Sequence, residues 1–598
     1  MTTLQTLNLS IQKVGILGTL RLVNEKRRKR KRLSILLGGP SGFATLLSNE
    51  GSPKPDVDEK EQVTILERAG EMIDDENYFF TFLHHLKGIS EPWNFDPIEG
   101  KYWNKKPYEE TKLRSQDSPK DVKIIWEINR FKYLPLLAEA ALASGQMKFV
   151  DECEARILSW IDDNPFGATI NWSSPLEIAI RGISWVAALR ILSLAGFDIS
   201  ANEKIRESLW QHAAYLNAEL STDKIVRSNH LIGETAGLYI LSSFLDFPDA
   251  VFFRLRAKKI LTDSILKQTF SDGASREASS WYHGFICDFA DLALRTASEL
   301  NDQFEKDFED RFEKMVVYRN SILLPDGDLV KYGDCDFGKA INLSSKWKDA
   351  VFGKNPIASN ETKNYFPVAD HLTGRIDKNY VFVRGGEFGW GGSGFSSHAH
   401  DDFLSPIVAL DGINIIVDPG TYVYNGSPES RDPERQAMAH NGLIIGENTG
   451  AIPKSGFGWQ KVRPNAKIEY LSQDSSQITA EGSYGEWNLE HKRLFVLSQT
   501  EFRLEDHLEF QTERSVEWNF HFHPRWRVEK ISPSKIALHD FRDNHYSFEL
   551  SGVEGELEVS RYEFFPAYMQ KANAWKVVLI KSFAANENRT VKFILHKI

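Results

Sequence analysis

The apolar residues of this chain change their period once, and that change limits what the chain can fold into. From about residue 60 to 340 they recur at helical spacing; beyond about residue 370 they alternate or run in short blocks. Trp126 to Ser144 is apolar at helical spacing, interrupted by Pro135. Ser174-Pro175-Leu176-Glu177 reads as a capping box with proline at the first helical position, opening a helix through Leu194. Helical patterns follow at 201–218, 230–245, 249–268, 279–300 and 302–318. Short loops between many helices imply antiparallel neighbours in a bundle, a solenoid or a closed toroid.

Residues 340–370 are rich in Lys, Asn, Ser and Pro and read as a polar connection. After it, Val516, Trp518, Phe520 and Phe522 share one face of a strand, and Glu517, Asn519, His521 and His523 share the other. The second face is expected to be solvated. The organisation predicted is a poorly assigned tail over 1–60, an all-helical part over 61–345 and an antiparallel β part, a sandwich, over 365–598.

The β part carries a dense set of chemistry-bearing residues between His398 and Asn441. The strand-length runs Ile407 to Leu410 and Ile413 to Val417 are followed by a Pro419-Gly420 turn. Strand ends and turns can bring His400, Asp418 and His440 together. Two imidazoles and a carboxylate suit a divalent metal, zinc first, with one position left for water. The alternative is polar residues satisfied at strand ends. Asp401 or Asp402 would orient an imidazole.

In the helical part, Asn229-His230 opens a helix, where Asn229 reads equally as an N-cap. Tyr282 lies near the start of the 279–300 helix. The positive helix end and nearby Arg276 would favour its phenolate; the alternative is an amphipathic interface tyrosine.

Seventy-two Lys and Arg against 83 Asp and Glu leave a net charge of −11, which does not suggest a nucleic-acid partner. Cys153, Cys287 and Cys335 are too few and too scattered for a disulfide framework. No stretch reads as a membrane span, and residues 1–24 do not read as an export signal. The basic run Lys26 to Arg32 has no assigned role.

Taken in order, Asn-His…Gly-Glu-Thr, Ser-x-x-Tyr-His, His-x-His-x-Asp, Asp-Pro-Gly-Thr-Tyr and Ala-His-Asn resemble the heparinase II/III-type polysaccharide lyases, over roughly residues 80 to 598. The resemblance implies an (α/α) toroid followed by stacked antiparallel sheets. It implies β-elimination on a 4-linked uronic-acid polysaccharide, with unsaturated uronate products. Asn229 and His230 resemble the pair that stabilises the uronate carboxylate, and Tyr282 and His398 the acid and base. His400, Asp418 and His440 resemble the metal ligands. Arg130, Asn171, Trp172, Arg181, Glu234, Arg276 and Arg435 are candidates for holding the acidic polymer, with Arg431 a further candidate for a basic cleft. Relatives are usually periplasmic or secreted; without a readable export signal, a cytoplasmic location is the alternative. A glycoside hydrolase on a helical toroid, or a non-catalytic uronan-binding protein, are the competing functions.

Overall fold

The computed structural model describes residues 24, 27, 42–49, 53–74, 92–105, 107, 121–224, 228–390, 396–425, 428–446, 450–454, 456–463, 465–474, 476–484 and 489–598. Of the basic run 26–32, only Arg27 falls within these. The chain divides into two compact units. One holds the described residues up to Lys267 with Phe285–Glu309 and Lys339–Ile357; the other holds Gln268–Gly284, Asp310–Gly338 and Ala358–Ile598.

The first unit is helical and is built around Pro175–Ala195. This helix is apolar on nearly every side and is accordingly buried all round. It is the described helix whose length and composition would suffice to cross a membrane, a property the sequence reading missed; here it is a core element. Pro175 starts it and Gly196, at φ 91°, ends it in the left-handed conformation. The expected capping box does not form: Ser174 makes no side-chain cap, and Glu177 instead binds Arg130 through both oxygens, at 2.6 and 2.9 Å. Asn229–Phe244 packs closely on this helix because Gly237 has no side chain; a Cβ there would lie 2.6 Å from that of Ala179.

Two expectations for the helical part need correction. Trp126 to Ser144 is not one helix but two, Val122–Asn129 and Leu134–Ser144. Pro135 lies in the first turn of the second helix, where a missing N–H is harmless. The polar connection 340–370 contains a further helix, Ser345–Phe352, whose Trp347 and Phe352 are buried.

The second unit is rich in antiparallel strands. An eight-stranded sheet runs in the order Ala466–Gln473, Gln477–Tyr484, Leu489–Ser498, Glu501–Phe510, Asn588–Lys597, His545–Ser551, Lys535–His539, Arg527–Ser532. A four-stranded sheet joins Leu443–Ile445, Arg514–His521, Ala572–Phe583 and Glu558–Phe564. A five-stranded sheet runs from Tyr365–Phe366 to Ile413–Ile416 and includes Ile407–Leu410. All three contribute to one apolar core: Phe495 and Phe593, Trp518 and Leu579, Val383 and Val408. In Arg514–His521 the apolar face packs as expected, but the opposite face is not solvated. Asn519 and His521 are buried, and His521 donates its backbone N–H to Asn441 Oδ1 at 2.7 Å. Burial therefore holds the imidazole of His521 well below its ordinary pKa, and that of His523 at about 4.

Candidate active site

The candidate site of the second unit is organised by Asp334, in Gly-Asp-Cys-Asp. Its segment passes between Ala278 and His398, which Gly333 permits: a Cβ there would lie 2.6 Å from the His398 carbonyl oxygen and would also strike that of Ala278. Gly333 takes φ 60° and donates its N–H to Asp402 at 2.9 Å. The Asp334 backbone N–H bonds the His398 carbonyl at 2.9 Å, pinning the two segments together.

The Asp334 carboxylate is fully buried and shared among three partners. His398 Nδ1 lies at 2.9 Å, His400 Nε2 at 3.0 Å and an Arg431 nitrogen at 2.6 Å. Burial alone would raise this carboxyl, but Arg431 and the two imidazoles outweigh it and hold it well below the ordinary range. With Nδ1 bonded to a carboxylate, His398 in its neutral form carries the proton there and presents Nε2 as the acceptor.

Tyr282 stacks on His398, with ring centroids 3.7 Å apart. The start of Ser280–Glu299, up to Gly284, belongs to the second unit, so Tyr282 packs against residues of that unit. Its hydroxyl donates to Asp336 Oδ2 at 2.8 Å. Burial, then the charge of Asp336, push the phenol well above its ordinary pKa. That corrects the expectation of a phenolate. Arg276 does not reach the hydroxyl as a counter-charge; it lies 3.5 Å from Glu387 and over the Phe270 ring at 4.2 Å. Tyr424 completes the ring cluster, 5.8 Å from His398 and 6.3 Å from Tyr282.

His400, Asp418 and His440 do come close. The two imidazoles are 5.3 Å apart, and His440 Nδ1 lies 2.6 Å from Asp418 Oδ2. Asp418 Oδ1 accepts the Gly420 N–H at 2.9 Å, the Pro-Gly turn placing donor and acceptor together. Among the described residues, no three His, Cys, Asp or Glu converge as a metal donor set. Two buried nitrogens, His400 Nδ1 and His440 Nε2, nevertheless lack a hydrogen-bond partner among those residues. The pair of imidazoles thus fits a cation, whereas the Asp418 carboxylate is already engaged. Asp401 and Asp402 do not orient the imidazoles: Asp402 binds Arg384 Nε at 2.8 Å, and Asp401 lies 2.8 Å from Arg463.

The residues expected to hold the polymer have mostly internal partners. Arg435 is buried, donating to the Gly456 carbonyl at 2.6 Å and lying 4.2 Å over Trp459. Arg431 is buried on Asp334. In the helical unit, Arg181 is buried 4.0 Å over Trp160 and bonds His212 at 2.9 Å. Asn171 donates to the Trp93 carbonyl at 2.8 Å, and Trp172 to the Asn164 carbonyl at 3.2 Å. Glu234 accepts both the N–H and the hydroxyl of Ser221 at 2.7 Å. These groups are held by contacts within their own units. Asn229 begins the Asn229–Phe244 helix after an N-cap at Ser228; Asn229 is buried and His230 partly exposed.

Asp334, Asp336 and Tyr424 were not singled out from the sequence. The available signal was the spacing Asp334-x-Asp336: two carboxylates two apart in extended chain point to the same side.

Comparison with known proteins bears on both units. The model described as heparinase II/III N-terminus matches residues 24–356, and that described as heparinase II/III-like, C-terminal matches residues 360–594. A heparin-sulfate lyase of Bacteroides stercoris is 22% identical over 551 residues, covering 84% of this chain and 77% of that protein. A crystal structure of heparinase III superposes with a TM-score of 0.64 at 16% identity, covering 95% of this chain and 89% of the other. A heparan sulfate lyase from Pedobacter heparinus superposes with a TM-score of 0.54 at 16% identity, covering 100% and 91%.

Proposed function

The chain belongs to the heparinase II/III family, and from that premise we propose that it is a polysaccharide lyase acting on a 4-linked uronic-acid polymer by β-elimination. The observation that carries this is the stacked pair Tyr282 and His398, each tied to its own carboxylate. One imidazole nitrogen is set to accept a proton and one phenol is set to donate one. His398 Nε2 takes the proton from C5, the carbanion electrons form the C4–C5 double bond, the C4–O4 bond breaks, and the Tyr282 phenol protonates O4. Each transfer contributes about 10²–10⁴-fold. Because the rings are stacked, both groups serve one side of the sugar, which fits a C5 proton and an O4 on the same side. Asp334 positions His398 through Nδ1, and Asp336 receives the phenol hydrogen bond in the resting site.

Family resemblance supports Asn229 and His230 as donors to the uronate carboxylate, where charge builds up as the C5 proton leaves. It also supports the toroid and the sheet-on-sheet packing, and a periplasmic or envelope location. A divalent cation, zinc first, would be held by His400 Nδ1 and His440 Nε2, with Asp418 orienting His440. Bound there, it would cross-link the segments that carry His398.

The test is direct. The protein is incubated with heparosan, heparan sulfate, hyaluronan, chondroitin and alginate, and the ultraviolet absorbance of unsaturated uronate is followed. A rise with at least one polymer, abolished by carboxyl reduction of that polymer, is expected. Chain cleavage without the chromophore would make the protein a hydrolase, and equal turnover of the reduced polymer would sink the uronate assignment.

A further inference from the structure

The hairpin of Lys535–His539 and His545–Ser551 carries two histidines that face each other. Ile536, Leu538, Tyr546 and Phe548 point into the core. By alternation His539 and His545 lie on the other side of the sheet, where their side chains are 32% and 40% exposed. They are direct register partners, so their Cβ atoms stand about 4.5–5.5 Å apart. The loop between them is held by Asp540. Its Oδ1 accepts the N–H of Arg542 at 2.8 Å and that of Asn544 at 3.0 Å, and its own N–H bonds the Asn544 carbonyl at 3.2 Å. A fixed backbone thus presents the two imidazoles.

Their Nδ1 atoms lie 2.6 Å apart. The far nitrogens turn to carboxylates: His545 Nε2 is 2.9 Å from Asp543 Oδ1, and His539 Nε2 is 3.6 Å from Glu529 Oε2. A ring nitrogen beside a carboxylate holds the proton, which leaves the other nitrogen of a neutral imidazole as a bare lone pair. With both protons on Nε2, two lone pairs confront each other at contact distance. Moving the His539 proton to Nδ1 relieves that clash but turns a bare Nε2 toward Glu529. That atom is closed to solvent and has no hydrogen-bond partner among the described residues. A cation between the Nδ1 atoms suits all four nitrogens at once.

Imidazole ligands suit zinc and copper, whereas magnesium and calcium prefer oxygen. Two nitrogens each about 2.0–2.1 Å from zinc at the tetrahedral angle stand about 3.3 Å apart, so the partly exposed rings part by less than about 1 Å to admit it. Arg527 pairs with His539 from the other side, but it is exposed, and water screens its charge. We propose that His539 and His545 bind one zinc or copper ion through their Nδ1 atoms, with water completing its coordination and Asp543 and Glu529 as outer partners. The pair is distinct from His400 and His440, and the proposal holds whether or not the protein is a lyase.

Isothermal titration of the metal-stripped full chain with Zn²⁺ tests it, on wild type, His545→Ala and His539→Ala. Any zinc held by His400 and His440 is common to all three proteins and cancels. Each variant should bind one equivalent fewer than wild type, its affinity weakened beyond the about 10–100-fold that the loss of an outer partner costs. Titration with Mg²⁺ should show no difference between the proteins. His545 is partly exposed at the end of the hairpin, so its variant carries the test even if His539→Ala does not fold. The same number of zinc equivalents at the same affinity in wild type and His545→Ala, or a Mg²⁺ equivalent lost in step with the zinc, would overturn the proposal.

Discussion

Two buried aspartates of the strand-rich unit are built on the same plan, histidine and arginine around one carboxylate, and differ in what lies beyond the imidazole. Asp334 binds His398, His400 and Arg431. Asp506 binds His491 at 2.7 Å, Arg493 through both oxygens at 2.7 and 2.8 Å, and the Trp518 indole at 2.8 Å. Both carboxyls are held below the ordinary range, because arginine and histidine outweigh burial. At Asp506 every partner ends in core: His491, Arg493 and Trp518 are at most 1% exposed, and Trp518 packs among Phe583 and Phe593. At Asp334 the imidazole of His398 meets a second proton-bearing group, Tyr282, anchored on its own carboxylate. A buried Asp–His–Arg cluster is therefore not a site in itself. What separates the two is a second, independently held proton donor against the imidazole.

Asparagine in place of either aspartate should sharpen that contrast most. Asp334→Asn leaves Arg431 buried without its counter-charge, which costs about 3–5 kcal/mol of stability. It also puts an NH2 donor in place of one of the two acceptor oxygens that face His398 and His400, so the imidazole opposite that donor takes the other tautomer and kcat should fall about 10²–10⁴-fold with KM little changed. Tyr282→Phe should lower kcat by the same factor while leaving the melting temperature near wild type, since one hydroxyl is lost and the ring stack is kept. Asp506→Asn should cost a similar 3–5 kcal/mol yet leave turnover per folded molecule unchanged. Chemical denaturation and kinetics on the folded fraction read all three. If Asp506→Asn lost turnover, or Asp334→Asn kept it, the distinction between the clusters would collapse.

The Asp506 variant has a pH signature as well. A carboxyl depressed in the folded state stabilises the fold fully above the unfolded pKa, near 4, and loses that contribution as pH falls toward the folded value. Wild type and Asp506→Asn should therefore differ most in melting temperature near neutral pH and converge below about pH 4. Parallel curves down to pH 2.5 would show that the charge of Asp506 is not what the variant removes.

The same contrast explains how much was legible in the sequence. The change of hydrophobic period separates helical from strand-rich residues because burial acts on every turn of every element. The order of His398, His400, Asp418 and His440 also reads out, because strand ends and a Pro-Gly turn are local signals. The partners that decide function are not local. Asp334 lies 64 residues from His398 and 97 from Arg431, and only the folded strands bring them together. Sequence likewise does not show that Arg130 and Arg431, both candidates for a basic cleft, bind the buried carboxylates of Glu177 and Asp334. His521 was assigned to solvent because alternation shows only which residues share a face, not whether a neighbour such as Asn441 covers it.

His400 is where the two clusters would diverge further if a cation is present. His400→Ala removes one partner of Asp334 and one of the two orphan ring nitrogens. Loss of the hydrogen bond alone should cost about 1–3 kcal/mol. With a bound cation, the variant should also lose metal measured by elemental analysis, and its melting temperature should fall further, since metal affinity adds to folding stability. A metal-free wild type that melts no higher when supplied with zinc would leave His400 and His440 as ordinary buried polar residues.

The smallest effect should come from Tyr424, and it tests whether the ring cluster acts as a unit. Its ring stacks near His398 and lies 5.3 Å beneath the Arg431 guanidinium, while its hydroxyl hydrogen-bonds with Tyr282. Tyr424→Phe keeps the packing and the cation–π contact and removes only that hydroxyl. A neutral hydrogen bond contributes about 1 kcal/mol, so kcat should fall several-fold to about tenfold, far less than in Tyr282→Phe. The double variant decides the mechanism. If Tyr424 acts by holding the Tyr282 hydroxyl, then Tyr282→Phe already forfeits that contribution, and the double variant should be no slower than Tyr282→Phe alone. If the two losses multiply, Tyr424 contributes independently of Tyr282, and the proton donor that distinguishes the Asp334 cluster from the Asp506 cluster is a single residue rather than a coupled pair.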